Sequence, residues 1–352
     1  MKTKIITLDS LSPQEAYLTE AAQVVAGGGL VIIPTDTVYG IAANASHKQA
    51  INRLYKIKGR LPHKPFSFHI ESKDKIEEFA KDIPPAAYKL IDKFWPGALT
   101  LVLKSKDTGN VGLRMPDDRI ALKIIELAGV PVICPSANIS GKAPPIDFSA
   151  AIQDFEGLVD LAIDAGKTKL GVESTVVDAT VEPANILREG AIKKEEIEEV
   201  LNRKIILFVC TGNSCRSVMA AGLLKKKLRE TGRYNVEVLS AGIMMLGGMG
   251  ATAETIELLK QEGIDVSTHR SQRVNKELIQ EADLILVMEK LHEEKILQIA
   301  PEAKFRVFLL KEFAKINAAN LDIPDPIGKS GEFYNQTFAV IKEAVERIVG
   351  II

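Results

Sequence analysis

The sequence predicts an α/β protein of two domains: a twisted α/β sheet first, then a doubly wound parallel sheet. Three observations lead there. Short apolar runs such as Leu30-Val31-Ile32-Ile33 and Ile205-Ile206-Leu207-Phe208-Val209 alternate with stretches of helical spacing, as expected of strands buried on both faces beside crossover helices. The chain has 352 residues, too long for one ordinary domain and about right for two. Its two halves also carry unrelated sets of chemically loaded residues, a basic stretch in the first and a cysteine loop in the second.

Composition narrows the class. Hydrophobic residues make up 46% and charged residues 26%, which is ordinary for a soluble globular protein. A net charge of −1 gives no global bias toward nucleic acid or a membrane. Three cysteines (Cys134, Cys210 and Cys215) suit a reducing compartment better than a disulfide framework. Asp9 interrupts the start before a secretory apolar segment can form, and no apolar run approaches a membrane span. A cytoplasmic protein with no membrane partner is expected.

In the first half, residues 13–27 read as a helix with Ser12 as N-cap and Pro13 in the first turn. The strand at residues 30–33 runs into Pro34-Thr35-Asp36-Thr37-Val38-Tyr39-Gly40, which puts small hydroxyls at the sheet's C-terminal edge, where ligands bind. Between Asp36 and Glu71 there is no acidic residue, while Lys48, Arg53, Lys56, Lys58, Arg60 and Lys64 all fall there. Lys48 and Arg53 are read as a solvated helix face. Lys58, Arg60 and Lys64, near Gly and Pro on an expected loop, are read as phosphate contacts. Trp95 and Cys134 are read as core. Residues 131–138 repeat the strand-then-hydroxyl pattern, ending on Ser136 and Asn138, and Ser174 and Arg188 follow in residues 171–190. Residues 191–204 read as an amphipathic helix closing the domain, with the boundary at Asn202-Arg203.

The second half opens on a strand ending in Cys210, then Thr211-Gly212-Asn213-Ser214-Cys215-Arg216-Ser217, then a helix. Loop N–H groups and a helix N-terminus aim positive charge at one spot, which suits phosphate. Arg216 adds a planar fork for two oxygens, and the same field favours the Cys210 thiolate as nucleophile. Strands are expected at residues 236–240, 283–288 and 306–310, with a final helix at 332–349. That alternation implies a parallel doubly wound sheet. Asp325 sits between Pro324 and Pro326 on a stiff turn. Two readings stand for Cys215: a small loop residue, or a partner that protects Cys210 as a disulfide on oxidation.

Two resemblances follow from these motifs. Residues 10–200, through the stretches 34–40, 58–60, Lys64-Pro65, 94–103, 111–116, 135–138, 171–178 and 186–190, resemble the YrdC-like threonylcarbamoyl-AMP synthases. That family condenses L-threonine, bicarbonate and ATP, with magnesium accompanying the nucleotide, and no protein metal cluster stands out here. The resemblance implies Thr35, His69, Arg114 and Ser174 for threonine. It implies Lys58, Arg60, Lys64, Ser136, Asn138 and Arg188 for ATP. The implied product feeds N6-threonylcarbamoyladenosine synthesis, so tRNA and the proteins that transfer the group to it are implied partners. The basic stretch also admits a rival, an RNA-binding module without synthase activity. From Lys204 onward, the cysteine loop with Ser240-Ala241-Gly242, His269-Arg270-Ser271 and Asp325-Pro326 resembles the low-molecular-weight protein tyrosine phosphatases. That resemblance implies Cys210, Arg216 and Asp325 as catalytic, with residues 211–215 and Ser217 shaping the phosphate loop and no cofactor. Asp325-Pro326-Ile327-Gly328 and the small Ser214 look closer to the protein-arginine phosphatase branch, so phosphoarginine and phosphotyrosine proteins both stand as substrates. The expected domains are 1–202 and 203–352.

Overall fold

The apolar runs become strands because both of their faces are covered. In the computed structural model, which describes residues 2–10, 12–61, 65–244 and 247–352, Leu30 and Ile32 join one hydrophobic cluster while Val31 and Ile33 join another on the opposite face. The second half repeats this. Ile205, Leu207 and Val209 enter one cluster, and Ile206, Phe208 and Cys210 enter the other. This is the two-residue alternation of a strand with no solvent face. The thiol therefore lies on the side covered by the helices Arg216–Glu230 and Gly331–Ile348, whose Met219, Leu223, Phe338 and Ile341 share its cluster.

The chain folds as two compact units, Met1–Val200 and Leu201–Ile352. In the first, the strands are β1 (Lys4–Thr7), β2 (Val31–Ile33), β3 (Gly40–Asn44), β4 (Phe68–His69), β5 (Leu99–Lys104), β6 (Asn110–Arg114), β7 (Val132–Ile133), β8 (Leu161–Asp164), β9 (Thr175–Asp178) and β10 (Asn185–Arg188). Among the described residues they make one mixed sheet in the order β1-β8-β2-β3-β7-β4-β6-β5-β9-β10. The first helix is Glu15–Ala26, and its N-cap is Gln14, not Ser12. Gln14 keeps an extended backbone (φ −71°, ψ 121°). The first turn thus opens on Glu15, whose carboxylate suits a helix N-terminus.

In the second unit, β11 (Lys204–Cys210), β12 (Val236–Gly242), β13 (Leu284–Val287) and β14 (Val307–Leu309) lie in the order β12-β11-β13-β14. All three pairings are parallel. The connections leave β11 in opposite directions, so Cys210 ends the strand at which the order reverses, where such sheets open a crevice. Among the described residues no helix is long and apolar enough to cross a membrane.

Candidate functional sites

Strand register assembles the first site. His69 lies beside Arg114 across the parallel β4–β6 pair and beside Val132 on the other edge of β4. Gly40 bridges Ser136, and a Cβ at Gly40 would fall 2.4 Å from the Cys134 sulfur, so only glycine allows the approach. The result is a cavity of about 410 Å³ lined by Thr35, His69, Arg114, Ser136, Ser174 and Arg188. A second, of about 500 Å³, shares Arg60, Ser136 and Glu173 with it and adds Lys58 and Asn138. The structure thus brings together nine of the ten first-half candidates; the remaining one, Lys64, lies outside the described residues.

Their local bonding differs from the sequence expectation in instructive ways. The Arg114 guanidinium is buried and donates to Gly97 O (3.1 Å), Thr37 Oγ1 (2.7 Å) and Asp36 Oδ1 (2.5 Å). Three of its five N–H groups are therefore used in holding it. Burial raises the pKa of Asp36, against the pull of Arg114. Burial, helped by Arg114, drops His69 to about 3, so its imidazole is neutral. The Thr35 hydroxyl is held in its own turn, donating to Val38 O at 2.7 Å. Ser174 Oγ is 2.8 Å from Thr100 Oγ1, and Arg188 clamps that corner, donating to Ser174 O at 2.8 Å and to Glu173 Oε1 at 2.8 Å. Cys134 is buried, which pushes its thiol up to about 12 and leaves it inert.

Two readings of the basic stretch are corrected. Lys58 is not on a loop. It ends the helix Lys48–Lys58, and Gly59 caps that helix in the left-handed conformation at φ 58°. Its ammonium is buried and donates to Ser136 O (2.5 Å) and Asn138 O (2.7 Å), holding the loop that carries both candidates. Burial and then Arg60 lower it to about 8. Arg53 is not a solvated cation: it meets Asp160 Oδ2 at 2.6 Å and Leu158 O at 2.7 Å, tying the helix to the start of β8. Arg60 stacks over the Phe66 ring at 5.0 Å.

The second site is built on the loop after β11. Cys210 Sγ lies 3.0 Å from Ser217 Oγ and accepts the Asn213 N–H at 3.3 Å. Asn213 adopts φ 53°, a left-handed conformation that asparagine tolerates. Its amide donates to Ser217 Oγ (3.0 Å) and Ser240 Oγ (2.9 Å), and its side-chain oxygen accepts the Gln272 N–H at 2.9 Å. Ser217 accepts from Asn213 and keeps its own hydrogen free to be donated to the sulfur. Gly242 closes in from β12: a Cβ there would lie 2.7 Å from Thr211 O and 2.9 Å from Asn213 N.

Arg216 is 1% exposed. Nη1 donates to Glu289 Oε2 (2.7 Å) and Ile323 O (2.8 Å), while Nη2 donates to Asp325 Oδ2 (2.5 Å) and Thr211 Oγ1 (2.9 Å). Asp325 thus lies beside the loop that follows β11. Ser214 is buried, with its hydroxyl 3.7 Å from Cys215 Sγ. Cys215 is a free thiol, and its sulfur also sits 3.5 Å from Thr252 Oγ1 and 3.6 Å from the Tyr334 hydroxyl.

Sequence reasoning missed Asp36 and Thr37, the supports of Arg114, and Glu289 and His292, which support Arg216 and Thr211. Asp36 was in view inside the Pro34–Gly40 stretch, but its partner lies 78 residues away. Glu289 and His292 carried a signal at helix-start spacing: the Glu289 N–H donates to His292 Nδ1 at 3.0 Å at the head of the helix Lys290–Ile299.

Two family models match the two halves of the chain separately. The family model described as telomere recombination, that of the Sua5, YciO and YrdC proteins, matches residues 23–190. The model described as low molecular weight phosphotyrosine protein phosphatase matches residues 205–350. The threonylcarbamoyl-AMP synthase of Pyrococcus abyssi is 43% identical over 219 residues; the match takes in 60% of this chain but only 64% of that protein's length. The crystal structure of P. abyssi Sua5 complexed with L-threonine superimposes with a TM-score of 0.55 at 29% identity, covering 87% of this chain and 99% of that one. A putative threonylcarbamoyl-AMP synthase of Methanocaldococcus jannaschii is 36% identical, with 56% of this chain and 98% of that protein covered. The protein-arginine-phosphatase of Geobacillus stearothermophilus is 39% identical over 143 residues, which cover 41% of this chain and 92% of that protein. The chain therefore belongs, through its first half, to the Sua5, YciO and YrdC family and, through its second, to the low-molecular-weight phosphotyrosine protein phosphatase family.

Proposed function

We propose that residues 1–202 condense L-threonine, bicarbonate and ATP into threonylcarbamoyl adenylate and pyrophosphate, and that residues 203–352 hydrolyse phosphorylated side chains of proteins through a phosphocysteine. The protein works in the cytoplasm, and its adenylate product supplies tRNA modification.

One observation carries the first activity. Three buried side-chain atoms among the described residues lack a partner: Asp36 Oδ2, His69 Nδ1 and Asn138 Oδ1. All three belong to residues that line the paired cavities or touch Arg114. Buried polar atoms are nearly always satisfied, and exceptions gathered at one place point to a ligand. The free N–H groups of Arg114 suit the threonine carboxylate. The carbamate formed from threonine and bicarbonate attacks the α-phosphorus, and pyrophosphate leaves toward Arg60, whose cation offsets the developing charge. Glu173, the carboxylate lining both cavities, is engaged by Arg188. Magnesium would accompany the nucleotide and supply charge neutralisation at its phosphates. The test is pyrophosphate release from ATP that requires both threonine and bicarbonate; release independent of threonine in folded protein would sink the reading.

The second activity rests on the Cys210 sulfur held between Ser217 and the Asn213 amide, with Arg216 behind it. Thiolate attacks phosphorus, Asp325 protonates the leaving nitrogen or oxygen, and water then cleaves the phosphocysteine with Asp325 taking its proton. A phosphoryl group takes the Arg216 donor that now serves Asp325, freeing that carboxyl for proton transfer. Phosphoarginine is the favoured substrate. The small hydroxyl of Ser214 leaves room for a guanidinium, and the Geobacillus relative bears that activity in its name. Ser214→Ile is expected to shift the ratio of kcat/KM values from phosphoarginine toward phosphotyrosine peptides by roughly tenfold or more, the scale of a changed apolar contact in a pocket. An unchanged ratio would remove Ser214 from specificity.

A further inference from the structure

We propose that His292 is a positioning residue of the phosphatase site, one that fixes Thr211 so that the threonine hydroxyl donates its hydrogen to a phosphoryl oxygen held by Arg216. The inference rests on the phosphatase reading and assigns a donor to that site. His292 is fully buried. Its two ring nitrogens face groups of opposite kind. The Glu289 N–H donates to Nδ1 at 3.0 Å, so Nδ1 carries no hydrogen in the neutral ring. Burial, with Arg216 adding to it, lowers the imidazole to about 4, which keeps the ring neutral near pH 7. The proton is then on Nε2, which lies 3.0 Å from Thr211 Oγ1 and 3.6 Å from Glu289 Oε2. Only the threonine oxygen is within hydrogen-bond range, so Nε2–H donates to it.

Thr211 Oγ1 also accepts from Arg216 Nη2 at 2.9 Å. A hydroxyl has two lone pairs and one hydrogen. Both lone pairs are now committed to N–H donors, and among the described residues no third group is recorded on this oxygen. The hydroxyl is left as a pure donor, with its direction fixed from two sides. The same Nη2 carries Asp325 Oδ2 at 2.5 Å. A phosphoryl oxygen that takes the place of Asp325 on Nη2 therefore arrives next to Thr211 Oγ1. There it meets a hydroxyl able only to donate, and a donor aimed in advance at an anion incurs no reorganisation when the anion arrives.

The test uses the full chain and two readouts: the affinity for inorganic phosphate by calorimetry, and kcat and KM for para-nitrophenyl phosphate. Thr211→Val keeps the shape and removes the donor. A hydrogen bond to a charged group contributes about 1.5–3 kcal/mol, so phosphate should bind about tenfold or more weakly, and kcat/KM should fall in parallel. Thr211→Ser should restore both to within about threefold of the parent. His292→Phe should lower phosphate affinity by a similar factor. The double variant should lose little beyond either single change, the signature of one coupled unit. A Thr211→Val chain that binds phosphate as the parent does overturns the proposal, whether or not His292→Phe folds. Additive losses from the two changes overturn the role of His292. If phosphate affinity follows the expected pattern while the parent turns nothing over, the donor assignment stands and the phosphatase reading falls.

Discussion

A Cys210→Ser chain is expected to lose phosphatase turnover by about four orders of magnitude or more while still binding phosphate. The anion site does not depend on the sulfur. Arg216, the loop amides and the start of the helix Arg216–Glu230 all remain, and serine is nearly the same shape. The nucleophile does depend on it. The Ser217 hydroxyl at 3.0 Å and the Asn213 amide at 3.3 Å are arranged to hold a thiolate. Two hydrogen bonds can hold a sulfur anion during attack but cannot turn an alcohol into a comparable nucleophile. Turnover of phosphoarginine peptides and calorimetric phosphate binding, measured on the same preparation, check the two halves of the expectation. Turnover within tenfold of the parent would mean that another group attacks phosphorus.

The second large effect belongs to the first unit. Asp36→Ala is expected to destabilise it by about 3–5 kcal/mol, the usual result of leaving one partner of a buried ion pair alone. Asp36 and Arg114 have side chains 1% and 6% exposed, so little water reaches the stranded guanidinium. Threonine-dependent pyrophosphate release should vanish with the pair, because Arg114 would lose the carboxylate that orients it. Asp36→Asn keeps the shape but not the charge and should fall between. The second unit supplies an internal control. Its hydrophobic clusters draw on residues of residues 205–352 only, so para-nitrophenyl phosphate turnover should persist below its own melting transition. Because a two-unit chain need not unfold in one step, melting should be followed by both activities. Loss of pyrophosphate release with an unaltered first transition would mean that Asp36 acts on the reaction without stabilising the fold.

Much of this was legible in the sequence for a physical reason. A strand buried on both faces must be apolar throughout, so residues 30–33 and 205–209 announced themselves. The cysteine loop was legible because a thiol, a glycine, an asparagine and an arginine at a strand-to-helix junction have few other uses. What stayed hidden was pairing between distant segments. Nothing near Asp36 says that its partner is Arg114, and nothing near Arg216 says that Glu289 and Asp325 converge on it. The misreading of Lys58 has the same origin. A lysine next to glycine looks exposed, yet Gly59 caps a helix whose last residue is buried against a loop 78 residues on. The start of the first helix was misplaced for a smaller reason. A serine before a proline resembles a cap, and the extended backbone at Gln14 that displaces it leaves no sequence mark.

The alternation along Lys204–Cys210 bears on how this protein can change over time. The five buried positions ahead of Cys210, Ile205 to Val209, need only be strand-forming and of suitable bulk, so they can drift among aliphatic and aromatic types with modest effects. Their number cannot drift. Adding or removing one residue turns every following side chain to the opposite side of the sheet, which would carry the sulfur away from Ser217 and toward the cluster that holds Val209. Heredity can therefore rewrite the letters of this strand but not its length, and chemistry at its end acts as the counting device.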